Sequence, residues 1–379
     1  MLVFASAVLA VVLPVFAAPT GNVPITKFAG RVKANSYIIK LKDGVSRETH
    51  LNAILPKFVA DSGLKYKYGD VFHGYAATLK GQDLALVRQS KDIEFIEEDG
   101  IARIDNISSN ASGSSESALP AVNPHSVRAS DGAGVDIYII DTGIYTAHNS
   151  FGGRARWGAT FGGYANADGN GHGTHVAGTA VGASYGVATG ANVVAVKVLS
   201  DSGSGSNSDI ISGVNYVYNA FKTGGRSAVM NLSVGGAAST AVDSAVSNAI
   251  AGGVHATVAA GGSNADAGTT SPGRVEAANT VGAVDSSNRR ASFSSYGPII
   301  DVWAPGVNIL STWIGSPTAT NTISGTSSSA PFVAGILAVA ISEYGNKSPA
   351  QLSADLKSHA RAVVTNVPSG TTNLLATRW

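Results

Sequence analysis

Three short segments contain side chains whose types and order could perform nucleophilic catalysis. Asp141 ends the apolar run VDIYIID, His172 lies in the glycine-rich segment DGNGHGTHVAGT, and Ser327 is the first of three serines in SGTSSSAPFVAG. A serine hydroxyl is a weak nucleophile until a base accepts its proton, and a histidine serves as that base when a carboxylate fixes its tautomer. Together these residues predict an acyl-transfer site with a serine nucleophile.

Each segment also has a simpler interpretation when it is considered alone. An aspartate at the end of a strand commonly belongs to a turn, and a serine before an apolar run commonly caps a helix. His172 and His175 are three residues apart and could ligate a metal, but no cluster of carboxylates or thiolates in the sequence completes such a site. We expect His175 to be structural. The catalytic interpretation therefore depends on the joint occurrence of all three segments, in the chain order Asp, His, Ser.

The apolar pattern predicts the elements that hold these residues. Strands buried on both faces are expected at VDIYIID, NVVAVKVL, AVMNLSV, VHATVAA and NTVGAV, with helices near 172–182, 208–221, 240–251 and 327–340. This alternation indicates an α/β fold with a doubly wound parallel sheet over residues 130–379. Active groups of such folds lie outside the carboxyl ends of the strands, where Asp141 is expected.

A smaller unit precedes this domain, at residues 36–104. The segments SYIIKL, VFHGYAATL and IEFIEED predict strands, and Glu48 to Ala60 and GQDLALVRQS predict helices. This order is close to the β-α-β-β-α-β plan of ferredoxin-like α+β domains. Residues 105–124 are rich in Ser, Asn and Ala and have no periodicity, so they predict an exposed linker that is open to proteolysis.

Composition narrows the possible functions. The 379 residues are 44% hydrophobic and 13% charged, which is enough to fill a sizeable core. A net charge of +1 gives no reason to expect nucleic acid or an anionic membrane as a partner. The chain has no cysteine, which excludes disulfides, thiol catalysis and thiolate metal sites.

The N-terminus indicates secretion. Leu2 to Phe16 is almost wholly apolar, is followed by two alanines, and is short for a membrane span, so residues 1–18 predict a signal peptide. No basic residue precedes the apolar stretch, which leaves an N-terminal anchor as the alternative. Sequons that fit a secreted glycoprotein occur at Asn106, Asn110 and Asn346. A fourth, at Asn231, falls in an apolar strand and is expected to be unmodified.

The segments YIIDTGI, GNGHGTHVAGT, NLSVGG, TVAAGGSNADA and SGTSSSAPFVAG resemble the subtilisin family, specifically its proteinase K-like fungal branch. The likeness covers nearly all of 130–379, and residues 36–104 resemble the inhibitory propeptide of these proteases. The resemblance implies that Ser327 is the nucleophile, His172 the general base and acid, and Asp141 the orienting carboxylate. It further implies a secreted, monomeric serine endopeptidase for protein or peptide substrates, made as a zymogen with its own propeptide as inhibitor.

The resemblance also implies how a substrate binds. Two edge strands would sandwich an extended peptide, with Gly203, Ser204 and Gly205 on one side and Ser233, Val234 and Gly235 on the other. Backbone pairing of this kind gives affinity with little sequence selectivity. Ala259, Ala260 and Gly261 would form the other wall of the first specificity pocket, and their small apolar character predicts a preference for apolar or aromatic side chains. Ordinary sheet packing is the alternative for these segments.

A calcium site is the one metal site that the resemblance suggests. Asp301 and the carbonyls of Glu276 and Ala278 match a site of the proteinase K-like branch, and oxygen ligands of this kind suit calcium. A solvated acidic residue is the alternative for Asp301. No cofactor is expected for the chemistry itself.

The main departure from the family is at the oxyanion position. The family pattern AAGN reads Ala259-Ala260-Gly261-Gly262 here, so the asparagine side chain that donates to the oxyanion is absent. Ser328 and Ser329 also stand where the family usually has Met-Ala, and Phe332 stands where the branch has histidine. We therefore expect a slow endopeptidase. The alternative is a catalytically impaired homologue that binds peptides.

Overall fold

A computed structural model describes residues 21–59, 61–104 and 131–379. The predicted signal peptide, the predicted linker, and the sequons at Asn106 and Asn110 lie outside the described residues. Asn346 is exposed, whereas Asn231 is fully buried within a strand. That burial agrees with the expectation that the Asn231 sequon is unmodified.

The N-terminal domain is a small sheet with two helices. Its elements are β1 (Ile25–Thr26), β2 (Val32–Leu41), α1 (Arg47–Ile54), β3 (Gly63–Lys67), β4 (Gly74–Thr78), α2 (Gly81–Arg88) and β5 (Ile93–Arg103). The strand order is β1-β5-β2-β4-β3, and all neighbours are antiparallel except β1 and β5. From β2 onward this is the β-α-β-β-α-β order of a ferredoxin-like domain. The structure adds strand β3 and ends α1 earlier than predicted, because Pro56 lacks the N–H that a longer helix would need.

The second domain is built on a nine-stranded sheet. Its strands and helices are β6 (Val135–Asp141), β7 (Ala155–Thr160), α3 (His172–Val181), β8 (Asn192–Lys197), β9 (Ser204–Ser206), α4 (Asn207–Gly224), β10 (Ser227–Leu232), β11 (Gly236–Ala237), α5 (Thr240–Ala251), β12 (His255–Ala259), β13 (Thr270–Ser271), β14 (Asn279–Val284), β15 (Val302–Pro305), β16 (Ile309–Thr312), β17 (Thr320–Ile323), α6 (Thr326–Tyr344), α7 (Pro349–His359), β18 (Arg361–Ala362) and β19 (Leu374–Leu375). The sheet order is β18-β19-β15-β14-β12-β10-β6-β8-β7. All neighbours are parallel except the edge pair β18–β19.

Helices cover both faces of this sheet, so the predicted doubly wound architecture is confirmed. Helices α3, α6 and α7 pack with one apolar cluster, and α4 and α5 pack with another on the opposite face. Every residue of β6 and β14 is buried, which explains their nearly unbroken apolar sequences. Helix α6 is apolar enough to cross a membrane by composition, but 89% of its most apolar stretch is buried inside the protein, as in a core helix.

The N-terminal domain packs on α4 and α5. The apolar cluster on that face of the sheet continues into the N-terminal domain through Ile38, Tyr68 and Phe72. Strand β5 then pairs antiparallel with β9 of the second domain, so one sheet runs across the boundary between the domains. Because of this pairing, the end of the N-terminal domain lies at the edge of the candidate site.

Candidate active site

Asp141 and His172 are in direct contact at the carboxyl end of the sheet. Asp141 is the last residue of β6, and His172 is the first residue of α3. The His172 Nδ1 atom lies 2.8 Å from Asp141 Oδ1 and 3.0 Å from Oδ2, and both side chains are fully buried. A carboxylate in contact with Nδ1 favours the tautomer that carries its proton there, which leaves Nε2 as the basic nitrogen.

The start of α3 is packed closely against the loop that follows β6. Gly171 precedes the helix with φ of 100°, in the left-handed region that favours glycine. A Cβ atom on Gly173 would lie 2.1 Å from the Gly143 carbonyl oxygen and 3.2 Å from Asp141 Oδ1. The glycines of DGNGHGTH therefore let the helix approach closely enough for His172 to reach Asp141.

Asp168 joins the loop after β6 to the start of α3. The sequence analysis did not identify this residue. Its buried carboxylate accepts five hydrogen bonds from four residues: Thr142 Oγ1, the backbone N–H groups of Asn170, Gly171 and Thr174, and Thr174 Oγ1. These donors belong both to the loop after Asp141 and to the first turn of α3. The available sequence signal is an aspartate shortly before the start of a helix, where negative charge is favoured.

Ser327 is the second residue of α6, a helix that packs against α3. Its Oγ is buried and makes no hydrogen bond with the described part of the chain. Its backbone carbonyl accepts a hydrogen bond from Ser233 Oγ at 2.9 Å, which joins α6 to the segment after β10. By contrast, Ser329 Oγ donates to the carbonyls of Ala304 and Pro305 at 3.0 and 3.1 Å. Ser328 Oγ is buried in the helix and, like that of Ser327, has no partner within residues 21–59, 61–104 and 131–379.

Two edges of the second domain hold an extended strand between them. Arg103 and Gly235 exchange both backbone hydrogen bonds, each at 2.9 Å. On the other side, β5 pairs with Ser204 to Ser206, and the Ile104 N–H donates to the Gly203 carbonyl at 3.0 Å. The segments predicted to bind a substrate backbone therefore contact an extended peptide, and that peptide is the end of the chain's own N-terminal domain.

A cavity of about 240 Å³ opens beside this strand. Its lining includes the small residues Gly235, Ala259 and Gly261. Ser263, Asp266 and Ser295 also line it, so its wall is more polar than the sequence analysis expected. Ala260 is fully buried, and its N–H bonds to the Val281 carbonyl, so it supports this wall from behind.

Two carboxylates hold the N-terminal domain on the second domain. Asp99 accepts from Ser36 Oγ and from both the N–H and Oγ of Ser208, in the first turn of α4. Glu97 accepts from Ser239 Oγ and, at 3.3 Å, from the Ala241 N–H at the start of α5. Carboxylates are stabilised at helix N-termini, but burial outweighs this effect and raises the pKa of both. Their partners in the second domain lie more than 100 residues away in sequence, so local patterns give no indication of them.

The residues present at Asp301 do not fit a calcium ion. Asp301 Oδ2 accepts from the Thr280 N–H at 2.9 Å, and Oδ1 accepts from Lys357 Nζ at 2.9 Å. An ammonium group thus occupies the position where a cation would bind the carboxylate. Within the part of the chain that the structure describes, no group of three or more His, Cys, Asp or Glu side chains could hold a metal.

His175 is a core residue, as expected. Its Nε2 lies 2.8 Å from the Ile309 carbonyl, to which it donates, and complete burial lowers its pKa to about 3. Phe332 is also buried and packs in the core beside α3. Neither residue lies where it could contact a substrate.

Comparisons with known proteins agree with this architecture. Residues 132–375 match the model of the subtilase family, and residues 36–105 match that of the peptidase inhibitor I9 family. The subtilase model covers more than half of the chain. The chain therefore belongs to the subtilase family of serine proteases and carries an I9-type propeptide domain.

Individual relatives extend over both domains. Subtilisin-like protease 2 of Pseudogymnoascus destructans is 41% identical, with 90% of this chain and 88% of that protein covered. The cuticle-degrading protease of Metarhizium anisopliae and proteinase R of Parengyodontium album are each 40% identical, with 93% of this chain and 91% of each relative covered. The crystal structure of a cold adapted subtilisin-like serine proteinase is 46% identical with a TM-score of 0.62, and covers 66% of this chain and 90% of its own.

Proposed function

We propose that this subtilase is a secreted serine endopeptidase that hydrolyses peptide bonds with Asp141, His172 and Ser327. The observation that carries the proposal is the buried contact between His172 Nδ1 and Asp141, at 2.8 and 3.0 Å. Secretion is supported by the signal-peptide pattern of residues 1–18. We expect the chemistry to require no cofactor and the enzyme to act as a monomer.

In the proposed mechanism His172 accepts the proton of Ser327 as its Oγ attacks the substrate carbonyl carbon. Asp141 holds the imidazole and stabilises the imidazolium that forms. His172 then donates the proton to the leaving amine, and a water molecule hydrolyses the acyl ester. The Ser327 N–H, at the start of α6, is available to stabilise the oxyanion because a helix N-terminus favours negative charge.

We propose that a substrate binds as an extended strand between the two edges, as the end of the N-terminal domain does. A peptide that adds between Gly203 to Gly205 and Ser233 to Gly235 gains backbone hydrogen bonds whatever its sequence, so broad specificity is expected. The cavity beside Gly261 would take the side chain before the scissile bond. Small residues in its wall support apolar or aromatic side chains as the preferred class, and Ser263 and Asp266 give it a polar rim.

The same geometry supports a zymogen. While Ile101 to Ile104 pair with both edges, no substrate strand can occupy them. The N-terminal domain would thus inhibit the enzyme until the chain is cut and the domain leaves.

Labelling with a fluorophosphonate tests this proposal. We expect the processed protein to be labelled at Ser327, and Ser327→Ala to abolish both labelling and self-processing. Ser328→Ala and Ser329→Ala are matched controls on the same turn, and we expect both to be labelled. Ser329→Ala should also lower the free energy of unfolding by roughly 1 kcal/mol, because it removes the bonds to Ala304 and Pro305. A correctly folded, processed wild-type protein that resists labelling would instead favour the peptide-binding homologue.

Metal removal tests the expectation about cofactors. Since Lys357 already neutralises Asp301, we expect a chelator to leave the thermal midpoint of the protein unchanged. Lys357→Met should lower the stability slightly, by about 0.2–1 kcal/mol, because the pair is partly exposed. A chelator-induced fall in the midpoint that calcium reverses would contradict this expectation.

A further inference from the structure

A lysine is buried next to the pair formed by Asp141 and His172. Lys197 is the last residue of β8, and it is in register with Asp141 on the neighbouring parallel strand β6. Residues in register on adjacent strands project their side chains to the same face of a sheet. The Lys197 side chain is 1% exposed. Its ammonium group therefore lies inside the protein, beside the end of β6.

The contacts of this ammonium group indicate a role other than stability. Lys197 Nζ lies 2.8 Å from Asp201 Oδ1, but the Asp201 side chain is 62% exposed. An ion pair with an exposed partner contributes little to stability, whereas a buried ammonium loses its hydration. Nζ also lies 5.5 Å from the centre of the Tyr164 ring, and it donates to the Thr142 carbonyl at 2.5 Å. The Thr142 carbonyl is thus a buried partner that an ammonium at this position serves.

Thr142 uses all of its polar groups to hold the junction between β6 and α3. Its N–H donates to Asp141 Oδ1 at 2.7 Å, and its Oγ1 donates to Asp168 Oδ1 at 2.9 Å. The same Oγ1 accepts from the Gly173 N–H at 2.9 Å. The carbonyl is the remaining group, and Lys197 binds it. A change at any of these bonds therefore alters the residue that joins the strand to the helix.

We infer that Lys197 is a positioning residue for the proposed reaction. This role rests on the proposed function, since it acts through Asp141 and His172. Asp141 Oδ1 accepts from the Thr142 N–H and lies 2.8 Å from His172 Nδ1. By holding the Thr142 carbonyl, the ammonium fixes the direction of that N–H, and with it the oxygen that orients the imidazole. The general base is then held where it can accept the serine proton, and a small displacement of such a group lowers the rate.

Lys197→Met tests this role, because it retains an apolar stem and removes the ammonium. We expect kcat on a peptide substrate to fall about tenfold while KM changes by less than about twofold, because the loss affects the reaction more than binding. Asp201→Asn is the matched control. Its amide oxygen can still accept from Lys197, the bond to Thr142 is retained, and kcat should stay near that of the wild type.

Two measures keep the test decisive if the methionine variant folds or processes poorly. A precursor that folds but does not process itself is cut in trans with wild-type enzyme and freed of its N-terminal domain before the assay. If it does not fold, Lys197→Gln replaces it, because the shorter, uncharged amide leaves a polar group beside Asp201. An unchanged kcat in the folded variant, a rise in KM as large as the fall in kcat, or an equal loss in Asp201→Asn would overturn the inference.

A double-mutant cycle tests the route through Thr142. Asp168 accepts from the Thr142 hydroxyl, and Lys197 donates to its carbonyl, so both residues act on Thr142. Asp168→Asn combined with Lys197→Met should lower kcat by much less than the product of the two separate losses. A loss equal to that product would overturn the inference and leave the proposed function standing. A wild-type protein that is neither labelled nor active would overturn both.

Discussion

Gly262 stands where the family pattern AAGN predicts an asparagine. The asparagine expected there donates a hydrogen bond to the oxyanion, and its loss in subtilisin is known to lower turnover by about 10²–10³-fold. The two polar residues that follow Gly262 differ in their contacts. The Asn264 N–H bonds to the Phe293 carbonyl, and its Oδ1 accepts from Arg290 at 3.0 Å. Ser263 lines the adjacent cavity and is the remaining candidate donor.

We expect Gly262→Asn to raise kcat at least tenfold while KM changes much less, because the restored bond acts mainly in the transition state. Steady-state kinetics on a peptide substrate measures both constants. Ser263→Ala is the companion variant: a large loss of kcat in it would show that Ser263 already serves the oxyanion. In that case Gly262→Asn should give little gain.

At the scale of single residues, the sequence was informative where a residue type occurs in a distinctive local pattern. Asp141 and His172 belong to such patterns, and the structure brings them together. Asp168 belongs to the same glycine-rich segment, but its role depends on Thr142, which is 26 residues earlier. A contact of that kind becomes visible only once the strand and the helix are placed side by side.

Helix α3 and the loop after β6 form the element that positions His172, and Asp168 joins them. Asp168→Asn retains the shape of the side chain but replaces one acceptor oxygen by a donor. We expect it to lower kcat by about tenfold with little change in KM, since a small displacement of His172 affects the reaction more than substrate binding. It should also lower the free energy of unfolding by roughly 1–3 kcal/mol, because buried donors lose their acceptor.

Asp201→Asn is the matched control for this prediction. Asp201 is exposed and bonds to Lys197 and to the Gly169 N–H, close to the same loop. We expect its kcat to remain near that of the wild type. Equal losses of kcat in the two variants, or an unchanged kcat in Asp168→Asn, would contradict the positioning role of Asp168.

The bounds of elements with a strong apolar pattern were predicted within a few residues. Elements with a weak pattern were not predicted. Strands β6 and β14 have the predicted bounds because each is a continuous apolar run between turn residues. Strand β7, with the sequence ARWGAT, alternates weakly and contains a glycine, and strand β15 has four residues and ends in proline. Helix α7 buries only Leu352 and Leu356. These elements depend on neighbours that are distant in sequence.

At the scale of the whole molecule, we expect Glu97 and Asp99 to make the docking of the N-terminal domain sensitive to pH. Burial raises the pKa of both carboxyls in the docked state, although Lys65 opposes the effect at Asp99. The docked state therefore binds more protons than the free domains. Its stabilisation is fully present below the ordinary carboxyl pKa of about 4, and it is lost as the pH rises through the raised values.

After the chain is cut, we expect the N-terminal domain to remain bound at about pH 5 and to dissociate more readily at about pH 7. Gel filtration of the processed complex at each pH measures the bound fraction. Asp99→Asn should weaken this dependence, because the amide does not titrate in this range. Asp61→Asn is a suitable control, since Asp61 is exposed in the same domain and bonds to Lys80 at 3.4 Å. Tighter binding at neutral than at acidic pH would contradict the prediction.

The strand that occupies the cleft is held by the backbone hydrogen bonds that we propose for a substrate. Before the chain is cut, this strand is tethered, and its local concentration at the cleft is in the millimolar range or above. Once the tether is broken, only non-covalent contacts retain the domain, so the bound fraction depends on concentration. Dilution would then activate the proposed enzyme: at high concentration the cut domain stays bound and blocks the cleft, and after release into a large volume it dissociates.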